Sequence, residues 1–154
     1  MAGAALPRTG GTYALLVRLN EPLHIRIGML GDRHLSAMDY LYTGSAFGPG
    51  GLSSRISRHL GSRKTPHWHI DRLTQYADVI AVFYTTDPAP LECRWSQALF
   101  TLDQTCVPVS GFGSSDCSAG CPAHLVGFNE PPDQCAILDV LLRTSDNDPV
   151  YIFR

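Results

Sequence analysis

Cysteine and histidine residues in the second half of the chain have the spacing of a metal site. Cys117, Cys121 and His124 lie within one short segment. Thiolates and imidazoles are the ligands that zinc prefers, and a structural zinc site has four of them. Cys106 or a more distant histidine would complete the set. Free thiols in a glycine-rich loop are the alternative interpretation, and both remain open.

A second group of candidate functional residues, most of them basic, lies between residues 53 and 72. This segment has five cationic side chains and one acid, while the whole chain has a net charge of −2. Guanidinium groups bind phosphate oxygens in pairs, and interleaved aromatic rings suit nucleic acid. A solvated helix and loop is the alternative, and we favour a DNA-binding surface. Its expected residues, besides Arg55, are Arg58, Arg63, Lys64, His67, His69 and Arg72.

Short strands and helices have to position these groups. Alternating and β-branched residues predict strands at 12–19, 23–30, 38–45, 79–84 and 124–128. Apolar residues at helical spacing predict helices at 52–60, 67–76 and 91–102. We expect the first two strands to form a hairpin. The order of elements indicates a small α/β or α+β domain.

Several motifs follow one another along these elements. Gly11-Thr12-Tyr13 opens the first strand, and Tyr42-Thr43-Gly44 ends the third. Arg55 and His59 lie one turn apart on the next helix, and Glu92 opens a later one. Together with the segments YALLVRL, GGLSSRISRHL, HWHIDRL, LECRWSQAL and GFGSSDC, this order resembles the GIY-YIG nuclease superfamily. The closer similarity is to a subgroup of prokaryotic domains that occur alone or fused to endonuclease III-type DNA glycosylases.

The resemblance also implies a division of the chain. It covers residues 11–128, which would form a domain with a mainly antiparallel sheet flanked by helices. Residues 1–10 would be a flexible N-terminus, and residues 129–154 an acidic C-terminal extension. The fused relatives imply a functional link to a base-excision repair glycosylase.

The activity that the resemblance implies is metal-dependent hydrolysis of phosphodiester bonds in structured or damaged DNA. Tyr13 and Tyr42 would line the site, Arg55 would contact the scissile phosphate, and Glu92 would hold Mg²⁺ or Mn²⁺. We expect His59 to assist as a base or a phosphate donor. This assignment is chemically coherent, because a guanidinium neutralises phosphate charge and Mg²⁺ needs only one carboxylate plus waters.

The motifs also depart from the superfamily pattern. Thr12 and Thr43 stand where apolar residues are usual, and 29 positions separate Tyr13 from Tyr42. Tyr40 is an alternative to Tyr42 as the second tyrosine of the site, since strand alternation puts both on one face. A non-catalytic nucleic-acid-binding module and a zinc-stabilised interaction domain are therefore the alternatives to an enzyme.

Composition excludes other classes of protein. The chain has 154 residues, enough for one domain, and its 44% hydrophobic content excludes a disordered tail. Lys64 is the single lysine and follows Arg63, which excludes a Walker-type phosphate loop. Neither His-x-Glu nor Pro-Cys-x-x-Cys occurs, which excludes a zinc deaminase. The apolar runs suit neither a leader peptide nor a membrane helix, so we expect a cytoplasmic protein that does not contact the membrane.

Overall fold

A computed structural model of the chain describes residues 5–61, 65–114, 117–145 and 149–153. The strands are β1 (Thr12–Arg18), β2 (Leu23–Arg26), β3 (Asp32–Leu35), β4 (Asp39–Ser45), β5 (Asp78–Thr85), β6 (Thr105–Cys106), β7 (Leu125–Phe128) and β8 (Tyr151–Phe153). The helices are α1 (Gly51–Leu60), α2 (His69–Thr74), α3 (Glu92–Leu99) and α4 (Gln134–Thr144), with a 3-10 turn at Gly28–Leu30. The predicted α+β class with an antiparallel sheet is confirmed.

Six strands form the main sheet in the order β6-β7-β4-β1-β5-β8, and neighbouring strands are antiparallel. Strand β1 lies near the centre because it is apolar on both faces. Tyr13, Leu15 and Val17 enter one buried layer, whereas Ala14 and Leu16 enter the other. A strand of this composition has no face that water can solvate, so it needs a packed layer on each face. Its buried backbone groups also need hydrogen-bond partners, which a strand on each edge provides.

The helices cover the two faces of the sheet in pairs. Ile56 of α1 and Leu73 of α2 pack in the layer that contains Tyr13. Trp95 of α3 and Leu141 of α4 pack in the opposite layer. Among the residues that the structure describes, no helix combines the length and the apolar character needed to cross a bilayer.

The hairpin expected between the first two strands is wrong. Strand β2 pairs with β3 in a separate two-stranded sheet, and β1 pairs with β4 and β5 instead. Both edges of β1 are therefore occupied, which leaves no place for β2. The chain reverses at the 3-10 turn, where Gly31 has a φ of 76° that favours glycine.

The described part of the expected C-terminal extension belongs to the same fold. Helix α4 packs beside α3, and Ile152 of β8 pairs with Phe83 of β5. Asp133 caps α4, since its side chain accepts a hydrogen bond from the backbone N–H of Cys135. The boundary expected at residue 129 does not mark a change of fold.

Candidate functional site

Tyr13 and Tyr42 meet on one face of the sheet. The antiparallel register of β1 and β4 places Gly44 opposite Tyr13 and Tyr42 opposite Leu15, and the two tyrosine rings are 6.3 Å apart. The long separation in sequence does not keep them apart, because β2 and β3 form their own hairpin between them. The phenol of Tyr40 donates instead to the carbonyl of Ser36.

Gly44 makes room for the Tyr13 ring. A Cβ at this position would lie 2.5 Å from the phenol oxygen of Tyr13. Gly113 has the same role beside Tyr42, where a Cβ would lie 2.8 Å from the ring. The Gly111-Phe112-Gly113 segment of the sequence thus packs against Tyr42, and the Phe112 ring lies edge-on to it.

A chain of three buried polar groups begins at Tyr13. Its phenol oxygen lies 2.7 Å from Nε2 of His59, and Nδ1 of His59 lies 3.3 Å from Oδ1 of Asp71. All three residues are buried. We call Asp71, His59 and Tyr13 the histidine relay. Sequence reasoning missed the role of Asp71, which was counted only as the one acid of the basic segment.

The charge on Asp71 fixes the direction of the histidine relay. Burial raises the pKa of Asp71, but hydrogen bonds from His59 and from the backbone N–H groups of His67 and Trp68 outweigh it, and the pKa lies well below its usual range. An ionised carboxylate only accepts hydrogen bonds. Nδ1 of His59 then carries a proton, and in the neutral ring Nε2 accepts the hydrogen bond of the Tyr13 phenol.

Both site tyrosines are held in their neutral form. Burial raises the pKa of Tyr13 well above 10, the negative charge of Tyr42 would raise it further, and Arg55 opposes this only in part. Burial likewise raises the pKa of Tyr42, with a further contribution from the negative charge of Glu92. Neither phenol is ionised at neutral pH, so Tyr13 enters any reaction as a hydrogen-bonded phenol.

Arg55 connects the tyrosines to the other half of the site. Its guanidinium donates to the carbonyl of Ser45 at 3.0 Å, and its positive charge opposes the rise in the pKa of Tyr13. It lies 4.0 Å from the centre of the Trp68 ring, a cation–π contact that orients the group. A guanidinium has five N–H donors, so these contacts are compatible with a bound phosphate.

Glu92 lies at the start of α3 and contacts two elements. Its Oε2 accepts a hydrogen bond from the hydroxyl of Ser45 at 2.7 Å, and its Oε1 lies 2.8 Å from Nδ1 of His124. The Glu92 side chain is 25% exposed, so it is accessible to a solvated cation. Ser45, which follows the Tyr42-Thr43-Gly44 motif directly, was also missed by sequence reasoning.

Thr12 and Thr43, the threonines of the two tyrosine motifs, differ in their contacts. The hydroxyl of Thr12 accepts a hydrogen bond from the backbone N–H of Leu91, which ties β1 to the start of α3. Thr43 is buried, and within the described residues its hydroxyl has no hydrogen-bond partner. Nothing in the structure explains a hydroxyl at Thr43.

The expected DNA-binding residues differ in their surroundings. Arg58 contacts Asp71 and the carbonyl of Thr65, and His69 accepts a hydrogen bond from the backbone N–H of Gly113. His67 and Arg72 are exposed. Arg63 and Lys64 lie outside the described residues.

The cysteines and the histidine predicted as metal ligands come together with one further residue. The ligand atoms of Cys93, Cys117, Cys121 and His124 all lie within 4.8 Å of one another, so the set could hold a metal ion. The fourth ligand expected from the sequence, Cys106 or a more distant histidine, is wrong. Cys106 lies on β6 at the far edge of the sheet.

We call Cys93, Cys117, Cys121 and His124 the thiol cluster. Cys93 was missed because it lies 24 residues before Cys117 on a different element, where ligand spacing gives no signal. Its Sγ is 3.4 Å from Sγ of Cys117 and 3.7 Å from Nε2 of His124. The four side chains therefore converge without a disulfide bond.

The side chains of the thiol cluster shift one another's pKa values. Burial raises the pKa of Cys93 to about 12, while the backbone N–H of Cys121 is the main group that lowers the pKa of Cys117 to about 6. Burial lowers the pKa of His124, but Glu92 and the neighbouring thiols outweigh it and raise the pKa to about 9. A metal ion would displace the protons of Cys93 and His124.

These observations define a small α+β domain with a tyrosine–histidine–carboxylate site joined to a cluster of metal-ligating side chains. The chain belongs to the family described as "Domain of unknown function DUF123", whose family model matches residues 12–145. That match includes α4, in agreement with its place in the fold. No curated protein and no solved structure is similar enough to this chain to count as a match.

Proposed function

We propose that the protein is a metal-dependent endonuclease that hydrolyses phosphodiester bonds in structured or damaged DNA, with a role in DNA repair. One observation carries the proposal: five side chains from four elements come together at the ends of β1 and β4, through the Tyr13–His59 hydrogen bond, the contact of the two tyrosine rings and the shared neighbour Ser45. They are Tyr13, Tyr42, Arg55, His59 and Glu92. The resemblance to GIY-YIG nucleases supports the same assignment.

The histidine relay supplies the base in this proposal. The attacking water loses a proton to the phenol oxygen of Tyr13 while the phenol proton passes to Nε2 of His59. The positive charge that forms on His59 is stabilised by the ionised carboxylate of Asp71. A neutral phenol can act in this way because its proton already has an acceptor at 2.7 Å.

Arg55 binds the scissile phosphate. Its positive charge acts on the pKa of the Tyr13 phenol, so a phosphate that it holds would be near the group that accepts the proton. The cation also stabilises the negative charge that develops on the phosphate oxygens. Trp68 keeps the guanidinium in this position through the ring contact.

Glu92 fits the role of a ligand for Mg²⁺ or Mn²⁺. Each of its oxygens has one polar neighbour, which leaves lone pairs for a cation, and the hydroxyl of Ser45 lies beside it. Mg²⁺ is commonly held by one carboxylate plus waters. A bound Mg²⁺ would neutralise charge on the phosphate.

The test is cleavage of branched, flap, abasic and single-stranded DNA with Mg²⁺ or Mn²⁺. We expect Glu92→Ala and Arg55→Ala each to reduce the rate by a factor on the order of 100 or more. Glu130→Ala and Arg143→Ala, which alter exposed residues away from the site, are the matched controls. Wild-type protein that binds these substrates and cleaves none of them would identify a non-catalytic binding module instead.

A second role is supported by the thiol cluster. We propose that it holds a structural Zn²⁺, because three thiolates and one imidazole are a complete ligand set for this ion. Elemental analysis of the purified protein should give about one zinc per chain. A content below about half an equivalent contradicts the zinc site, and with it an interaction domain that depends on zinc.

A further inference from the structure

The thiol cluster and Glu92 are adjacent in sequence and in space. Cys93 directly follows Glu92 in the first turn of α3, and their side chains reach different sites. Cys93 points to the other thiols, whereas Glu92 reaches Ser45. A metal ion bound by Cys93 would therefore fix the same helical turn that presents the carboxylate.

His124 joins the two sites through the two nitrogens of one ring. Nε2 lies 3.7 Å from Sγ of Cys93, and Nδ1 lies 2.8 Å from Oε1 of Glu92. A histidine that binds a metal usually donates its other N–H group to a carboxylate. With a metal on Nε2, the neutral ring carries its proton on Nδ1, where Glu92 is the neighbouring acceptor.

The ring of His124 is the adjustable part of this contact. Its backbone is fixed on both sides, since its N–H donates to Phe112 and its carbonyl accepts from Thr43. Nδ1 is buried and makes no well-directed hydrogen bond within the described part of the chain, although Oε1 of Glu92 is close. A metal ion on Nε2 would set the plane of the ring and align Nδ1 with the carboxylate.

The contact continues from Glu92 into the rest of the candidate site. Its second oxygen holds the hydroxyl of Ser45, and the carbonyl of Ser45 holds Arg55. The orientation of the Glu92 carboxylate thus affects the proposed divalent-cation site directly, and the proposed phosphate-binding group through Ser45.

We propose that a metal ion in the thiol cluster positions the Glu92 carboxylate through His124, so that the cluster controls the affinity of the neighbouring divalent-cation site. His124 is a positioning residue in this arrangement. The inference rests on the proposed function only in taking Glu92 as the cation ligand. Coupling between two binding sites is reciprocal. A substitution of Glu92 should therefore also alter metal binding in the thiol cluster.

The first test measures Mn²⁺ affinity by electron paramagnetic resonance on protein loaded with zinc. His124→Cys keeps four zinc ligands but removes the Nδ1 group that faces Glu92. We expect this variant to retain zinc and to bind Mn²⁺ about 10-fold more weakly. Cys135→Ser, an exposed cysteine outside the cluster, should bind Mn²⁺ as the wild type does. Unchanged Mn²⁺ affinity in zinc-loaded His124→Cys overturns the proposal.

The second test needs neither Mn²⁺ binding nor DNA cleavage. Co²⁺ replaces zinc in the thiol cluster, and its visible absorption reports the ligands and their hydrogen bonds. We expect Glu92→Gln to shift the Co²⁺ bands and Glu130→Gln to leave them unchanged. Identical spectra in wild type and Glu92→Gln, or no uptake of Co²⁺, would overturn the inference. Shifted spectra in a protein that cleaves no DNA would support the coupling and contradict only the nuclease.

Discussion

The histidine relay and the thiol cluster are ordered by different means. In the relay, hydrogen bonds hold Asp71, and both packing and a hydrogen bond hold the Tyr13 ring. In the thiol cluster, Cys93 and Cys117 have pKa values displaced in opposite directions, and four potential ligands crowd around one point. The relay is complete with protein atoms alone, whereas the cluster has the composition of a site completed by a metal ion. Removal of the proposed metal ion should therefore weaken the thiol cluster and leave the relay assembled.

The largest expected effect is on the thiol cluster. Cys121→Ser removes one of four potential ligands, and we expect it to lower the free energy of unfolding by about 4 kcal/mol. The loss is smaller than in folds that depend wholly on zinc, because the two apolar layers of this fold remain. Cys135→Ser is the matched control and should change little. Urea unfolding with and without a chelator measures both. Equal stability of the two variants in the zinc-loaded state would contradict a structural metal here.

The next effect in size is on the histidine relay. Asp71→Asn keeps the shape of the side chain but removes the charge that His59 and Arg58 face. Breaking a buried charged contact in this way should cost about 3 kcal/mol at neutral pH. Unlike the cysteine substitution, this loss should be the same with and without a chelator.

The same variant should alter the acid dependence of stability. The pKa of Asp71 is lowered in the folded state, so its contribution is complete above about pH 4 and is lost as the pH falls through the folded value. The difference in unfolding free energy between wild type and Asp71→Asn should therefore shrink between about pH 4 and pH 2. Asp103→Asn, an exposed position, serves as control, and a constant difference for Asp71→Asn would refute the assignment.

Much of the fold could be predicted from local patterns, because each pattern reports how one segment is buried. Alternation placed β1 and β4, and helical spacing placed α1 and α3. The partner of β2 could not be predicted in this way. Its pairing depends on which edges of β1 are already occupied, and that is a property of the whole sheet.

The residues of the candidate site likewise divide into those that local motifs predict and those that depend on contacts between distant elements. Tyr13 and Glu92 stand in motifs whose order could be read directly, and the structure brings them into one network. Asp71, Ser45 and Cys93 could not be found from spacing, because each acts through a contact with a distant element. Asp71 is held partly by backbone N–H groups. Every residue type except proline has such a group, so the sequence does not show that these contacts form.

A smaller effect should follow from filling the space beside Tyr13. Gly44→Ala places a methyl group 2.5 Å from the phenol oxygen, and the buried ring has to shift. We expect a loss of about 2 kcal/mol, which is typical of an overpacked core. At Gly48 a Cβ would meet open space, so Gly48→Ala should be neutral. Thermal unfolding compares the two, and equal stability would show that packing does not hold the relay.

The smallest expected effect concerns DNA binding beside the histidine relay. Arg72 is exposed on α2 and directly follows Asp71 in sequence, so a phosphate contact here would place the DNA backbone near the relay and not at the far edge of the sheet. One exposed contact is screened by salt, and Arg72→Ala should cost about 1 kcal/mol of affinity and reduce the salt slope by about 1. Arg143→Ala removes another exposed cation, from α4 on the opposite face of the sheet, where Asp139 pairs with it. Fluorescence anisotropy at several salt concentrations measures the DNA affinity of each variant. Loss of a phosphate contact reduces the dependence of affinity on salt in Arg72→Ala alone. A general loss of positive charge lowers the DNA affinity of both variants by the same amount. Equal slopes for the two variants would remove α2 from the DNA-binding surface and leave Arg55 as the phosphate contact of the site.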